Sequence, residues 1–284
     1  MPEIRETARA KLNLALHVRA RRSDGYHEIE TMFAFCEDGD ELDFAPAQDL
    51  SLEIKGPFAA ALSGESDNLV LRAARLLAAK TVGRPGARIT LDKRLPVASG
   101  LGGGSADAAA VLRGLNRLWD LGLSARQLAE MALELGADVP VCVHSSPMIG
   151  GGVGERLEPV SLGLLVGARV LLANPGVAVS TADVFRGWDG IDRGAMPREP
   201  EQVLLAGRND LQDPALAIAP AIGETLDQIA ATSPRYPPRM SGSGATCFAI
   251  YPDRTSSCAA AEALRTNCPR MWLLETRLAP NVPY

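Results

Sequence analysis

The stretch LPVASGLGGGSADAAAVL, residues 95–112, decides how this chain is read. Gly100, Gly102, Gly103 and Gly104 lie between a strand pattern, ARITLDKRL, and a helical pattern that starts at Ser105 and runs through ADAAAVLRGLNRLW. Glycine has no Cβ, so successive backbone N–H groups can converge on phosphate oxygens. The helix that follows adds its own unbonded N–H groups and the positive end of its dipole. The segment therefore predicts an anion-binding loop. A Walker loop would end in Gly-Lys-Ser/Thr where this one has Gly-Gly-Ser, and a dinucleotide fingerprint would need glycine at Ser105, so both are excluded. An isolated glycine cluster serves equally well as a flexible turn, and its context has to decide.

Upstream, RAKLNLALHVRA and HEIETMFAFC alternate like strands around the turn residues SDGY, which predicts an antiparallel hairpin. LSLEIKG and ARITLDKRL are further strands. Between them NLVLRAARLLAAKTV carries helical spacing that Gly83 is expected to stop. Downstream of the loop, SARQLAEMALEL predicts a helix in which Ser124 and Gln127 have capping-box spacing. After about residue 157 the pattern restarts, with a strand at ARVLLANP, a helix near STADVF and a polar surface loop at WDGIDRGAMPREPEQ. A helix from about 214, a second glycine-rich turn and a strand, helix and strand close the chain. Strands in runs with helices attached, without strict alternation, predict an α+β fold with two lobes.

With 284 residues and 46% hydrophobic content, the chain has enough apolar material for one large or two modest domains. Cys36, Cys142, Cys247, Cys258 and Cys268 are odd in number and show no CxxC spacing, which suggests neither a disulfide framework nor a zinc site. No apolar signal core opens the sequence, and the longest apolar run, LGLLVGARVLLA, is interrupted by Arg169, so a cytoplasmic location is expected. A net charge of −5 argues against nucleic-acid binding and leaves any anionic ligand to local donors. A monomer and a weak homodimer are both open.

PVASGLGGGSADAA resembles the phosphate loop of the GHMP kinases, named for galacto-, homoserine, mevalonate and phosphomevalonate kinases. AKLNLALHV near the start resembles their first motif and RMSGSGATCFAIY near the end their third, so the likeness spans almost the whole chain. It implies a ribosomal protein S5 domain 2-like N-terminal lobe over residues 1–157, a ferredoxin-like C-terminal lobe over 158–284, and ATP with Mg2+ in the cleft between them. RRSDGYHEIETMF, LGADVPVCV, NPGVAVSTADVF, RNDLQDP and MSGSGA further resemble the branch that phosphorylates the 2-hydroxyl of a cytidine-diphosphate-linked methylerythritol.

That resemblance implies the site residues. Lys11 and Asp138 fall at the catalytic lysine and aspartate, although composition alone reads them as an outward-facing strand lysine and a helix cap. A weakly acidic hydroxyl needs a carboxylate to take its proton and a cation to stabilise the oxyanion, so the pair suits the chemistry. The loop Pro96, Val97, Ala98, Ser99, Gly100, Leu101, Gly102, Gly103, Gly104, Ser105 and Ala106 would cradle the triphosphate, with Ser105 on magnesium and Asn68 and Lys93 near the adenosine. Tyr26 and His27 would hold the cytosine ring with Phe185 on its other face, and Asn13 and Thr181 would make polar substrate contacts. His17 and His144 show no ligand spacing with His27, which argues against a metal there. The family loop has glycines where this chain has Ala98 and Ser99, and a serine at Ala106. A homoserine- or mevalonate-type kinase and a non-catalytic sugar-nucleotide sensor remain alternatives, with DGYH and Phe185 against the first and Lys11, Asp138 and Ser105 against the second.

Overall fold

The alternation around SDGY is realised as strands β1 (Ile4–Arg21) and β2 (His27–Ala47), antiparallel, with Arg21 opposite His27 at the closed end. The computed structural model describes residues 4–62, 68–81 and 86–281. Strands β3 (Leu50–Lys55) and β4 (Gly86–Asp92) follow, parallel to each other with helix α1 (Leu69–Ala78) between them. Asn68 starts α1 by accepting the Val70 N–H on its Oδ1 at 2.8 Å, and the helix turns Val70, Ala73, Ala74 and Leu77 inward. Gly83, the expected stop, lies outside the described residues.

Helix α2 (Gly103–Leu118) starts two residues earlier than the alanine pattern predicts, because Gly102, at φ 64°, takes the N-cap and lets Gly103 and Gly104 join the first turn. Helix α3 (Ala125–Ala132) opens on the predicted capping box, with Ser124 and Gln127 bonded reciprocally. The short helix α4 (Val139–His144) and strands β5 (Met148–Gly152) and β6 (Arg156–Pro159) carry too few residues to show a period and were not anticipated. Strand β1 covers one edge of β2 along its length. The opposite edge is shared by β5, along Ile29–Phe33, and β4, along Glu41–Ala47. The expected lobe boundary at 157/158 falls inside β6, whose pairing with β5 keeps Pro159 in this first sheet.

The second half supplies β7 (Arg169–Asn174), α5 (Thr181–Arg186), α6 (Pro200–Ala206), α7 (Gln212–Ile218), α8 (Ala221–Ala230), β8 (Arg239–Met240), β9 (Cys247–Tyr251), α9 (Arg254–Asn267) and β10 (Trp272–Arg277). Its antiparallel sheet runs in the order β10-β7-β9-β8. The fold is α+β, each half a sheet with its own helices. No helix among the described residues is long and apolar enough to cross a membrane.

The β1–β2 hairpin lies between the halves. Ala8, Phe33 and Phe35 pack with α1 and α2, while Ala10, Leu12, Leu14, Met32 and Ala34 pack against Val170 and Leu172 of β7 and Phe248 and Ile250 of β9. Residues 10–18 are accordingly buried without interruption, as in a strand covered on both faces. Helix α2 presses close enough on β2 that a Cβ on Gly114 would lie 2.4 Å from the Phe44 ring. Gly114→Ala should therefore destabilise the fold by about 1–3 kcal/mol through overpacking, although alanine is the better helix former. Denaturant unfolding measures this, and a stabilised variant would refute the close packing.

Candidate active site

Lys11 sits on β1 in the segment bounded by register slips, between Arg9 and Lys11 on one side and Asn13 and Ala15 on the other. Such irregularities re-aim side chains next to functional sites. With both strand faces covered, Lys11 is only 3% exposed. Its ammonium donates to Asp138 Oδ2 at 3.0 Å and Asn13 Oδ1 at 3.2 Å, and lies 4.8 Å from the centre of the Phe33 ring. Asp138 makes no side-chain cap to α4, and its side chain is 44% exposed. The strand-lysine and helix-cap readings are both set aside. The pair is a buried cation holding one oxygen of a carboxylate that opens to solvent.

The glycine loop lies against this pair. Lys11 N–H donates to Leu101 O at 2.9 Å, and a Cβ on Gly102 would come 2.9 Å from Lys11 Cε. On its other side the loop meets residues 240–245. Ser241 Oγ donates to Gly100 O at 3.0 Å and accepts from Asn13 N–H at 3.2 Å, and Thr246 N–H donates to Ser99 O at 3.0 Å. A Cβ on Gly100 would lie 2.4 Å from Ser241 O. The three sequence motifs thus meet through backbone contacts that only glycine permits. Ala106 N–H closes the first turn of α2 onto Gly102 O, leaving the N–H groups of Gly103, Gly104 and Ser105 without helical partners. A Cβ on Gly104 meets nothing within 4 Å, so the first turn opens onto free space suited to phosphate oxygens.

At the far end of β1, His27 is 8% exposed, its ring 5.1 Å from Phe185 at a 34° tilt and 5.7 Å from Trp188, edge-on. Arg21 Nε donates to His27 Nε2 at 3.4 Å. Tyr26 is 63% exposed. Thr181 Oγ1 lies 2.8 Å from Ser243 Oγ, tying the start of α5 to the third motif.

Residues 68–146 match the family model described as the GHMP kinases N terminal domain, and residues 201–270 the one described as GHMP kinases C terminal. The 4-diphosphocytidyl-2-C-methyl-D-erythritol kinase of Rhizorhabdus wittichii is 50% identical over 276 residues, 96% of this chain and 94% of that protein. The chain belongs to the 4-diphosphocytidyl-2-C-methyl-D-erythritol kinase family of GHMP kinases. A crystal structure of 4-(cytidine 5'-diphospho)-2C-methyl-D-erythritol kinase superposes with a TM-score of 0.82 at 35% identity, covering 96% of this chain and 99% of that one. A homoserine kinase from Cytophaga hutchinsonii, 14% identical with a TM-score of 0.75 over 99% of this chain and 96% of that one, shares the fold alone.

In this GHMP kinase Lys93, expected from the resemblance to lie near the adenosine, turns its amine into the protein. The side chain is 2% exposed and its Nζ donates to Asp40 Oδ2 and Asp107 Oδ2, each at 2.6 Å. Asn68 spends its Oδ1 on the α1 cap. Ala98 adopts φ 51°, a left-handed value at a position where the family uses glycine, and the buried Ser99 Oγ finds no partner. Asp40, Asp107, Thr31, Arg21 and Trp188 were not singled out from sequence. Thr31 accepts from Asn13 Nδ2 at 2.8 Å and thereby aims Asn13 Oδ1 at Lys11. None of these five stands in a spacing that marks it: Arg21 meets His27 only across the hairpin end, and the other four act through neighbours farther away in sequence. Among the described residues no group of three or more His, Cys, Asp or Glu side chains is disposed to hold a metal ion.

Burial pushes the Asp107 carboxyl up, against the pull of Lys93. Burial also opposes the Lys93 charge, but Asp107 and Asp40 together hold its ammonium above the ordinary lysine value. His17, His27 and His144 are each lowered by burial, His27 further by Arg21. An imidazole that resists protonation when folded accepts protons more readily when unfolded, so its contribution is present above the ordinary imidazole value and is lost as pH falls below it. The raised Asp107 carboxyl acts in the opposite sense, so the imidazole contribution is read as a difference. By chemical denaturation at matched ionic strength, the unfolding free energy of wild type minus that of the triple variant His17→Gln, His27→Gln, His144→Gln should increase from about pH 5.5 to about pH 7.5. A flat difference over that window would contradict the burial of the three rings.

Proposed function

We propose that the chain transfers the terminal phosphate of ATP to the 2-hydroxyl of 4-diphosphocytidyl-2-C-methyl-D-erythritol, giving its 2-phosphate in the non-mevalonate route to isoprenoid precursors. The observation that carries this reading is the Lys11–Asp138 pair, 3.0 Å apart and directly under Gly102 of the glycine loop. It sets a proton acceptor and a cation beside the place where the free amides of α2 would hold phosphates. Relatives named for this kinase, half identical over nearly the whole chain, support the choice of acceptor.

In this mechanism the acceptor hydroxyl gives its proton to the Asp138 oxygen that Lys11 does not occupy, while its own oxygen forms the bond to the terminal phosphorus. Lys11 stabilises the charge on that oxygen, and the N–H groups of Gly103, Gly104 and Ser105 hold the phosphate oxygens as the bond to ADP breaks. Positioning carries most of such a transfer, so a loop already packed on Lys11 and Ser241 is an advantage. Magnesium on the triphosphate would neutralise its charge, with the half-buried Ser105 hydroxyl the protein ligand and phosphates and water the rest, a set this ion commonly accepts. The base would lie between Tyr26 and Phe185. With Nε2 accepting from Arg21, His27 carries its proton on Nδ1 and is a donor for the unprotonated ring nitrogen of cytosine, where uracil presents an N–H. Asn13 and Thr181 would contact the sugar-like portion. The free thiols, three of them buried, accord with a reducing cytoplasm, where a monomer or weak homodimer would work.

Two experiments test this. Asp138→Asn should leave ATP and acceptor binding intact by calorimetry while lowering turnover by roughly 10²–10⁴-fold. A small loss with intact binding would make Asp138 an orienting residue instead. A phosphate-transfer assay with purified protein should show transfer to the cytidine substrate and little to its uridine analogue, free methylerythritol phosphate, homoserine or mevalonate. His27→Ala should narrow the cytidine preference, whereas Phe185→Ala should weaken binding of either base by about 1–3 kcal/mol. Comparable wild-type activity on any of the other acceptors would overturn the acceptor and leave the fold untouched.

A further inference from the structure

Beneath the glycine loop lies an ionic cluster that the transfer step does not use. Lys93 leaves the end of β4, Asp107 stands in the second turn of α2, and Asp40 comes from β2. All three are at most 3% exposed, and Lys93 Nζ lies 2.6 Å from a carboxylate oxygen of each aspartate. Asp40 Oδ1 accepts the N–H groups of Arg94 at 2.6 Å and Leu95 at 2.8 Å. The Lys93–Asp107 pair therefore joins the two ends of the loop, and Asp40 holds the backbone that enters it. The cluster also touches the loop's working part, since a Cβ on Gly103 would lie 3.1 Å from Lys93 Nζ and 3.7 Å from Asp40 Oδ2.

Stability alone gives this arrangement little purpose. Removing charges from water is costly, and buried ion pairs replaced by apolar side chains of similar volume are often neutral or stabilising. Asp107 Oδ1 is moreover buried without a partner, a further cost. What the cluster supplies that apolar packing does not is a fixed, directional join between strand end and helix start. We propose that Asp40, Lys93 and Asp107 are positioning residues for the nucleotide, stapling the base of the glycine loop so that the free N–H groups of α2 hold phosphate-binding geometry before ATP arrives. The proposal rests on the assignment of residues 96–106 to the triphosphate.

The test compares four variants with wild type by steady-state kinetics and thermal unfolding. Asp107→Asn keeps the shape and an acceptor for Lys93, so any rise it causes in KM for ATP should be smaller than that of the triple variant below. The triple variant Asp40→Asn, Lys93→Met, Asp107→Leu removes the charges together, while the side-chain amide oxygen introduced at position 40 still accepts the two loop N–H groups. It should fold at least as stably as a variant in the other half's core, Leu264→Ala, yet raise KM for ATP about 10- to 100-fold, the usual scale for misplacement of binding groups, with KM for the acceptor within about twofold. Leu264→Ala, destabilised but in a core cluster that contains none of residues 96–106, should leave both KM values unchanged. The proposal fails if the triple variant is folded with an unaltered KM for ATP, or if both KM values rise together. Gly104→Val adds a side chain where the structure has room for it but a phosphate would not. If it leaves KM for ATP unchanged, the loop assignment itself is wrong.

Discussion

The close approach of the glycine loop to two other backbones is the constraint on which the site depends. Leu101 is bonded to β1, Gly100 lies against Ser241 and Gly244, and Gly102 sits on the stem of Lys11. Neither Gly100 nor Gly102 has room for a Cβ, and each has positive φ. Three segments separated by most of the chain are thereby held in register, and the first turn of α2 is seated beside Lys11. A side chain at either position would separate that turn from the Lys11–Asp138 pair.

The second theme is buried charge. Lys11, Lys93 and Arg239 are all nearly sealed from solvent, and each is satisfied in a different way. Lys11 is held by one carboxylate and one amide oxygen, Lys93 by two carboxylates. Arg239 donates to four carbonyls, of Leu14, Val203, Leu204 and Gly207, and burial pushes it down to about 10. Arg239 thereby ties β8 and the end of α6 to β1, so the second half of the chain is anchored to the strand that carries Lys11. Ser241, two residues beyond, reaches the loop from that anchor.

The end of the site proposed for the base is built on the same hairpin. The turn that closes β1 and β2 places Tyr26 and His27 at its tip, and α5 with its following residues brings Phe185 and Trp188 onto the imidazole. His17, inside β1, completes the connection. Its Nδ1 lies 3.1 Å from Gly194 O and its Nε2 accepts from Arg208 N–H, which fastens the loop after Trp188. A single strand thus carries the buried Lys11, an asparagine that orients it and a histidine that fixes the loop behind His27 and Phe185.

By itself the sequence determined the hairpin, the glycine loop with its helix, the Ser124 cap and the order of the three motifs, because these depend on period, turn chemistry and the absence of Cβ atoms, all local properties. It also pointed to Lys11, Asp138, His27 and Phe185 as site candidates, through resemblance to a family. Only the tertiary structure decided what each touches. Burial of β1 on both faces, which no local alternation encodes, turned Lys11 from a surface lysine into a sealed ammonium. Lys93 reads as an ordinary strand-end lysine until Asp40 and Asp107, distant in sequence, are seen to enclose it. Trp188 sits in a Pro/Gly-rich stretch with no period, and its meaning comes from the ring it meets. Contacts between residues far apart in the chain leave no spacing in the sequence, and in this molecule those contacts orient the site.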